Sequence, residues 1–450
     1  MLDRLFRLRE NGTSVRTEIL AGLTTFLTMA YIIFVQPAVL SVDFAGCPTG
    51  LDRDAVLLAT CLSAAAASIG MGLYANYPIA LAPGMGENFF LVSVIMSPTL
   101  AATPTPWRTA LGIVFIAGVL FLILSLLRVR EMIINAVSPS LRSGIAVGIG
   151  LFITFIGLQN GGVIVDKPGT LVGLNTNLLK GDSLAAIAVF LAGTIVAAGL
   201  QARRVRGAIL WGIGAATLAA AALGRIELEG VFGLPHIAER AALRMDLRSA
   251  LNLACVPYIV VFLFMDMFDT VGTLMGVAQQ AGLVHGNRLP RAARVLTVDA
   301  AGTVLGACLG TSTVTSYIES AAGVAYGGRT GLTSVVCGGL FVLALFVSPL
   351  VGMIGHYPPI TACALVIVGC MMMRNASLID WDDHSEAVPA FLIAVGIPLC
   401  YSIADGLAIG FILYPIVKVI SGRWREVNPM MAILSFILLL YFALVRVRLS

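Results

Sequence analysis

Charged residues are scarce in this sequence. Only 12% of the 450 residues are Asp, Glu, Lys or Arg, whereas 58% are hydrophobic, and the mean hydropathy is +0.96. Soluble globular proteins carry roughly 25% charged residues, which cover their surfaces. The composition therefore excludes a soluble domain and predicts a protein that crosses a membrane many times.

Several chemical motifs are also missing. The eight cysteines show no Cys-x-x-Cys spacing, and His236, His285, His356 and His384 fall between the apolar runs or at their ends. We interpret the dispersed cysteines as small core residues. No Walker lysine follows the Gly-rich segments, which excludes nucleotide hydrolysis and leaves an ion gradient as the expected source of energy. No cofactor, metal site or nucleic-acid-binding patch is predicted.

The N-terminal segment MLDRLFRLREN is basic and amphipathic, but it lacks the apolar stretch and cleavage site of a signal peptide. We therefore expect the N-terminus to stay in the cytoplasm of a multi-pass plasma-membrane protein, which in a bacterium is the inner membrane. This orientation puts the basic residues of the short connections on the cytoplasmic side, as the positive-inside rule requires. They are Arg128, Arg130, Arg203, Arg204, Arg206, Arg288, Arg291, Arg294, Arg329, Arg423 and Arg425.

Apolar runs that approach the roughly 20 residues needed to cross a bilayer recur along the chain. A last run, Pro429 to Leu444, would carry Arg446 and Arg448 outside if it crossed, so we expect it to lie on the inner surface or on the bundle. The other continuous runs are Ile19–Leu40, Asp54–Tyr74, Thr109–Leu127, Ser138–Gln159, Ser183–Gln201, Gly207–Leu223, Leu251–Ala281, Arg291–Gly310, Leu332–Ile354, Pro358–Met373, Ala387–Tyr401 and Leu407–Ile420.

Two further segments, Pro78–Ser97 and Gly310–Gly331, are interrupted by small and polar residues. We expect residues 311–316 to be extended and a half-helix, meaning a short helix that crosses only part of the membrane, to begin near Glu319. Broken elements at membrane depth are tolerated where they line a cavity, and the free amides at the start of such a helix can face a ligand. Paired interruptions at matching places predict an inverted internal repeat, as in secondary transporters.

Glu319 is the first candidate for a functional residue, because a carboxylate inside a membrane segment is costly unless it is solvated or paired. The alternative is a structural carboxylate that caps its own half-helix. Asp266, Asp269 and Thr273 form a second candidate set, since spacings of three and four residues place them on one helix face. Two adjacent carboxylates repel, so one of them could carry a proton. We assign Asp266 the structural role and Asp269 the functional one.

The segment Ala80-Leu-Ala-Pro-Gly-Met-Gly-Glu-Asn-Phe-Phe90 supplies a third set, which stands opposite Glu319 in the repeat. Glu87 and Asn88 are polar residues at membrane depth, and an amide offers both donors and acceptors to a heterocyclic ligand. The alternative for Asn88 is a helix cap, and Phe89 could stack on a ligand or simply pack. We expect Asp299 to be a structural hydrogen-bonding group near the site.

Several of these motifs together resemble the AzgA-like purine permeases of the nucleobase-cation symporter (nucleobase/ascorbate transporter) family. The resemblance rests on Arg16–Tyr31, Ala80–Gly86, Phe268–Leu274, Gly310–Gly323 and Ile379–Trp381. It implies an all-α fold of fourteen membrane segments in two inverted repeats of seven. Segments 3 and 10 would each combine a short strand with a half-helix, and two chains would pair as a homodimer.

The resemblance also implies a division into a core domain and a gate domain. The core domain would consist of residues 18–128 and 250–354, and the gate domain of residues 129–249 and 355–422. Residues 1–17 would form a cytoplasmic N-terminal segment, and residues 423–450 a C-terminal apolar helix and tail.

By position in these motifs, the resemblance makes Glu319, Asp269, Asn88 and Phe89 substrate-binding residues, with Asp269 and Glu319 also coupling protons. The sequence departs from the expected GMGLNAFF pattern at Glu87, which adds a carboxylate, and the usual Asn after the first helix is Gln36. Thr273 lies where uracil and xanthine relatives often carry a histidine, and we include Glu87 and Thr273 in the binding set.

These observations predict a secondary active transporter that imports purine bases such as adenine, guanine or hypoxanthine. Protons are the expected coupling ion, with sodium the less favoured alternative. An anion carrier of the same fold class would want no carboxylate at its site, so Glu87, Asp269 and Glu319 argue against it. The remaining alternative is an intramembrane enzyme that uses Asp266 and Asp269 as an acid pair.

Overall fold

The structure is a computed structural model that describes residues 2–44, 46–127, 137–167, 170–177, 181–227, 230, 232–233, 242–283 and 291–442. Arg128, Arg130, Arg288, His236 and His285, for which the sequence predicted connections, lie outside these residues. So do the predicted core–gate boundary at residues 128–129 and the last eight residues of the chain.

The first half of the chain is helical apart from three short strands. Its helices are α1 (Leu2–Phe6), α2 (Val15–Met29), α3 (Ile32–Leu40), α4 (Arg53–Gly70) with a π-helical extension (Met71–Ala75), α5 (Met85–Ile95), α6 (Pro98–Ala101), α7 (Pro106–Leu126), α8 (Pro139–Asn160), α9 (Gly181–Ala202) and α10 (Ala208–Ala222). The strands are β1 (Leu81–Pro83), β2 (Ile164–Lys167) and β3 (Leu171–Leu174).

The second half of the chain is also mainly helical and contains one short strand. Its elements are α11 (Leu247–Ala250), α12 (Val256–Gln280), α13 (Ala292–Leu309), β4 (Val314–Ser316), α14 (Ser320–Tyr326), α15 (Gly331–Ala344), α16 (Ser348–Gly355), α17 (Pro359–Met372), α18 (His384–Leu399), α19 (Ile403–Ile420) and α20 (Pro429–Tyr441), with 3-10 turns at Leu253–Cys255, Met373–Leu378 and Trp424–Glu426. Within the described ranges, nine helices are long and apolar enough to cross a membrane, and several shorter apolar helices accompany them.

Glycines frame the broken segment of the second half. Gly310 ends α13 with φ +103°, and Gly327 ends α14 with φ +117°. A side chain with a Cβ adopts this left-handed backbone only with strain, so glycine is needed at both corners. Between the two corners the chain forms a strand and a half-helix, which confirms the predicted interruption.

The helices pack into two groups. In one group α4 packs on α15 and α7 packs on α13, so each helix that flanks a broken segment contacts a helix that flanks the other. In the second group α8 packs on α17 and α18, and α9 packs on α10 and α17. Two related halves would produce such contacts between corresponding helices. The inverted relation of the halves and the count of fourteen segments stay predictions.

Three details differ from the sequence prediction or extend it. The connection between α8 and α9 contains a β2–β3 hairpin, which lay outside the apolar runs and was not predicted. Cys47, Cys370 and Cys400 are exposed and Cys308 is half-buried, so the predicted core position holds only for Cys61, Cys255, Cys337 and Cys363. The C-terminal helix α20 packs against α19 and α12, which agrees with placement on the bundle.

Candidate functional site

The two broken segments meet at the centre of the first helix group. Strand β1 pairs antiparallel with β4, and Leu81, Ala82 and Pro83 lie opposite Ser316, Thr315 and Val314. The pairing extends at both ends, where Gly84 N donates to Thr313 O at 3.0 Å and Tyr317 N donates to Ala80 O at 3.0 Å. Each strand therefore satisfies the backbone of the other at a depth where water is absent.

Glu319 follows β4 directly and occupies the N-cap position of α14. Its side chain is 9% exposed, and its Oε1 accepts a hydrogen bond from the Tyr31 hydroxyl at 2.8 Å. The amides of residues 320–322 donate to the carbonyls of residues 317–319. They are therefore not free for a ligand, which corrects the expectation for this half-helix, and the charge at the site comes from the Glu319 side chain.

Asp266 and Asp269 turn out to face different surroundings, although the sequence placed them on one helix face. Asp266 is buried and accepts a hydrogen bond from Thr303 Oγ1 at 2.8 Å, which fits the structural role assigned to it. Asp269 is exposed and lies within electrostatic range of Glu319. Three residues along a helix amount to about 60° of rotation, which is enough to separate a buried from an open direction. Thr273, one turn further on, is buried.

Asn88 lies in a buried network of amides and hydroxyls. Its amide group exchanges hydrogen bonds with the Gln36 amide, and its Oδ1 also accepts from Ser312 Oγ. Gln36 Nε2 donates in addition to Thr311 Oγ1 at 2.8 Å. Asn88 therefore does not act as the helix cap that the sequence left open, because its side chain links the first membrane segment to the approach to β4.

Phe89 is fully buried within an aromatic cluster, which we define as Phe44, Phe89, Phe152 and Tyr401. The Phe89 ring lies parallel to Phe44 at 6.5 Å and edge-on to Phe152 at 6.0 Å, and Phe44 meets Tyr401 edge-on at 4.9 Å. The cluster joins α5 to α8 and to the turn before α19. In this conformation Phe89 packs against protein and offers no open face to a ligand.

Behind the strand pair lies a second set of polar side chains. Asp299 accepts hydrogen bonds from Thr270 Oγ1 at 2.6 Å and from Ser316 Oγ at 3.2 Å. Thr270 and Thr315 share a hydrogen bond of 2.8 Å between their hydroxyls. Asp299 therefore ties α12 and α13 to β4, in the structural role that the sequence predicted for it.

Glu87 lies in the first turn of α5 and is 2% exposed. It lies within electrostatic range of Asp269 and Asp299. The structure thus brings together carboxylates from three candidate sets, namely Glu87, Asp269 and Glu319. No three His, Cys, Asp or Glu side chains in the described ranges are arranged to hold a metal ion.

Two tyrosines complete the site and were not identified from the sequence. Tyr31, between α2 and α3, holds Glu319, and Tyr317 donates its hydroxyl hydrogen to Pro83 O at 2.5 Å. Both tyrosines are buried and lie within electrostatic range of Asp269. The only sequence signal was a hydroxyl at the end of an apolar helix and another beside Glu319.

The family profile Xan_ur_permease, described as a permease family, matches residues 16–444. The chain belongs to this permease family. The adenine permease AdeP of Escherichia coli (strain K12) is 43% identical to it over 441 residues, which cover 98% of this chain and 95% of AdeP. The guanine/hypoxanthine permease PbuG of Bacillus subtilis (strain 168) is 44% identical over 451 residues, covering 99% of this chain and 100% of PbuG.

The permease also shares its fold with the transmembrane domain of a cyanobacterium bicarbonate transporter, BicA. The TM-score is 0.66 at 14% identity, over 88% of this chain and 96% of that one, and a likeness at this identity concerns the fold alone. The predicted helical, polytopic membrane fold and the predicted family are confirmed. The permease is a transporter embedded in a membrane and not an enzyme, so the acid-pair alternative for Asp266 and Asp269 is excluded.

Proposed function

We propose that the protein imports purine nucleobases by proton symport. The observation that carries the proposal is the meeting of Glu319 and Asp269, from different elements, at the crossing of the two broken segments. Further support comes from the relatives, among which AdeP is an adenine permease and PbuG a guanine/hypoxanthine permease. The adenine, guanine and hypoxanthine class is therefore the proposed substrate.

In the proposed binding mode, Glu319 accepts a hydrogen bond from a ring N–H of the base while Tyr31 keeps its Oε1 in place. Asp269 faces the open side of the site and accepts a second hydrogen bond. Thr273 offers a hydroxyl one turn beyond Asp269. A pyrimidine or a wrongly substituted purine would leave one of these groups without a partner, and that loss produces selectivity.

Asn88 contributes to specificity in this proposal by fixing the position of the two broken segments. Its amide is already hydrogen-bonded to Gln36 and Ser312. It therefore affects base selection through the geometry of the strand pair, or it exchanges one of these hydrogen bonds for one to the base. Phe89 borders the site from the aromatic cluster, which connects the proposed core and gate domains. Movement of the core domain, residues 18–128 and 250–354, against the gate domain, residues 129–249 and 355–422, would have to separate these rings.

The proton is carried by Asp269 and Glu319 in the proposed cycle. A base that bridges the two carboxylates binds best when they hold a proton between them, because two neighbouring anions repel. The outer solution supplies the proton together with the base, and both leave on the inner side. Sodium stays the alternative ion for the experiment to separate.

The proposal also includes a plasma-membrane location, a cytoplasmic N-terminus and a homodimer. Support for the orientation comes from arginines at the end of the bundle that carries α1. Arg291 lies within electrostatic range of Arg7 and of Arg294, and Arg206 stacks on Tyr326 at 4.3 Å. The positive-inside rule places this end in the cytoplasm.

Uptake by purified protein in proteoliposomes tests the function. Labelled adenine, guanine, hypoxanthine and uracil are compared under an imposed pH gradient, an imposed sodium gradient and neither. We expect purines to accumulate when the outside is acidic and uracil to be excluded. Accumulation that follows sodium would overturn the coupling ion, and uptake of bicarbonate without purine uptake would favour the anion carrier instead.

A further inference from the structure

Glu87 has a carboxyl oxygen that no other group satisfies in the described part of the chain. The side chain is 2% exposed, and its buried Oε2 has no hydrogen-bond partner there. A lone carboxylate anion is very costly to bury, whereas the neutral acid is far less so. Burial therefore favours a Glu87 that holds a proton.

The immediate surroundings of Oε2 are apolar on the side of β4. A Cβ atom placed on Gly84 would collide with Glu87 Oε2 and would lie 2.9 Å from the methyl carbon of Thr315. The Thr315 hydroxyl is used in its hydrogen bond with Thr270. The Glu87 carboxyl group and a methyl group thus border the same small space over Gly84.

In the described part of the chain, three weak acids lie within electrostatic range of Glu87. Asp269 approaches from α12, Asp299 from α13 and Tyr317 from the end of β4. Asp269 in turn neighbours Glu319. These neighbours add repulsion to the cost of burial, so they oppose an ionised Glu87 rather than stabilise it.

We propose that Glu87, which the sequence prediction included among the substrate-binding residues, is a second proton-binding residue of the transport cycle that works together with Asp269. This inference rests on the proposed proton symport. Asp269 is exposed and lies within electrostatic range of the buried Glu87, so in this proposal a proton from solution reaches Glu87 by way of Asp269 and leaves by the same route when the site opens to the inner side. The loaded transporter then carries one proton on Glu87 and one shared by Asp269 and Glu319, which makes two protons per base.

A proton fits this position better than a metal ion does. Sodium and other hard cations need several oxygen ligands arranged around them. Here the carboxyl oxygen and the Thr315 methyl group border the same space, and the Thr315 hydroxyl is engaged with Thr270. A proton needs only the single oxygen to which it binds.

The decisive measurement is the number of protons coupled to each base. It is obtained in proteoliposomes, at equal pH on both sides, from the membrane potential at which net base flux stops under a fixed concentration gradient of the base. Wild type, Glu87→Gln, Glu87→Leu and the surface control Glu10→Gln are compared, and folding is checked by size-exclusion chromatography and by base binding. Gln keeps the shape of the protonated acid, and Leu fills the space without a polar group.

We expect two protons per base in the wild type and in Glu10→Gln, and one in both Glu87 variants. Under a gradient of one pH unit, the limiting accumulation should then fall by about tenfold in the Glu87 variants, because each coupled proton contributes a factor of about ten.

A wild-type value of one proton per base would overturn the inference without any variant, and so would an unchanged value of two in Glu87→Gln. Glu87→Leu decides the matter in the same way if Glu87→Gln does not fold. Wild-type uptake that ignores the pH gradient would instead overturn the proposed proton symport itself. The two failures are therefore distinguishable.

Discussion

Two clusters of charged residues in this molecule differ in whether their negative charges are compensated by cations. At the crossing of the broken segments, Glu87, Asp269 and Glu319 lie close together, and their closest charged neighbours are other acids. In the second helix group, the ion cluster around Lys418 combines two cations with three carboxylates. The first cluster has an unbalanced charge and the second is nearly balanced.

Lys418 lies near the end of α19 and is 1% exposed. Its Nζ is 2.9 Å from Glu386 Oε1, 2.7 Å from Glu426 Oε2 and 3.9 Å from Asp383 Oδ2. Arg423 Nη1 adds a contact of 2.6 Å with Asp383 Oδ2. The cluster thus ties the start of α18 and the turn after α19 to the end of α19.

This difference in charge balance distinguishes ionisable residues that bind a proton or a ligand from ionisable residues that stabilise the fold. In the nearly balanced cluster each carboxylate contacts a cation, so the cluster fastens helices together. An unbalanced cluster needs a proton or a ligand to be complete. Variants that remove one charge from each cluster should therefore fail in different ways, and four predictions make use of this contrast.

Lys418→Met should have the largest effect on stability. The change leaves Glu386 without its buried cation, and breaking a buried ion pair in this way costs about 3 kcal/mol. The melting temperature in detergent should fall clearly, while the folded fraction keeps its preference among bases. Lys167→Met, which changes an exposed lysine in β2, is the control. An unchanged melting temperature in Lys418→Met would contradict the structural role of the ion cluster around Lys418.

Glu319→Gln should weaken base binding and leave the stability of the protein nearly unchanged. The amide keeps the shape of the side chain but loses a charge-assisted hydrogen bond to the base worth roughly 1.5–3 kcal/mol. Purine affinity should fall by about ten- to a hundredfold while the melting temperature stays near that of the wild type. Tyr31→Phe, which removes only the group that holds Glu319, should show a smaller loss. Wild-type affinity in Glu319→Gln would refute its role in binding.

Asp269→Asn should abolish accumulation of base without abolishing its movement. Without an exposed carboxylate the proton can no longer enter with the base, so the imposed pH gradient loses the factor of about ten that each coupled proton gives per pH unit. Exchange of labelled for unlabelled base should continue in the same vesicles, which serves as the internal control. Accumulation by Asp269→Asn under a pH gradient would contradict the proposed coupling.

The sequence was sufficient for the broken segments and for the residue types of the site. Small and polar residues within apolar runs marked β1, β4 and the half-helix after Glu319, because only a cavity tolerates such breaks in a membrane. The same reasoning selected Asn88, whereas Asp269 was selected from its helix spacing with Asp266 and from the family resemblance. The β2–β3 hairpin was missed because it lies outside the apolar runs on which the prediction was based.

Partnerships between distant residues could not be predicted from the sequence. The bond between Asn88 and Gln36 joins residues that are 52 positions apart, and Tyr31 reaches Glu319 from 288 positions away. Lys418 was overlooked because a lysine near a helix end usually extends its amine to water. Its burial depends on the turn that brings Glu426 beside it, which no local pattern reveals.

Substitution of Asp383 should have the smallest effect on stability. The pH dependence of that effect tests the ion cluster around Lys418. It is the N-cap of α18, and its side chain accepts a hydrogen bond from Ser385 Oγ at 2.7 Å and another from Ser385 N at 2.9 Å. The hydrogen bonds from Ser385, together with Arg423, lower the pKa of Asp383 below its usual value. A lowered pKa means that the stabilisation is complete above the unfolded value of about 3.9 and is lost as the pH falls through the folded value.

Asp383→Ala should therefore destabilise the protein by about 1 kcal/mol at pH 7, as expected for the loss of an N-cap. Asp383→Asn, which keeps the cap but not the charge, should lose less. The difference in melting temperature between wild type and Asp383→Asn should shrink as the pH is lowered below about 4, where Asp383 becomes protonated in the unfolded and then in the folded protein. A difference that does not change between pH 7 and pH 3 would mean that the charge of Asp383 adds nothing to the ion cluster and that only its hydrogen bonds to Ser385 matter.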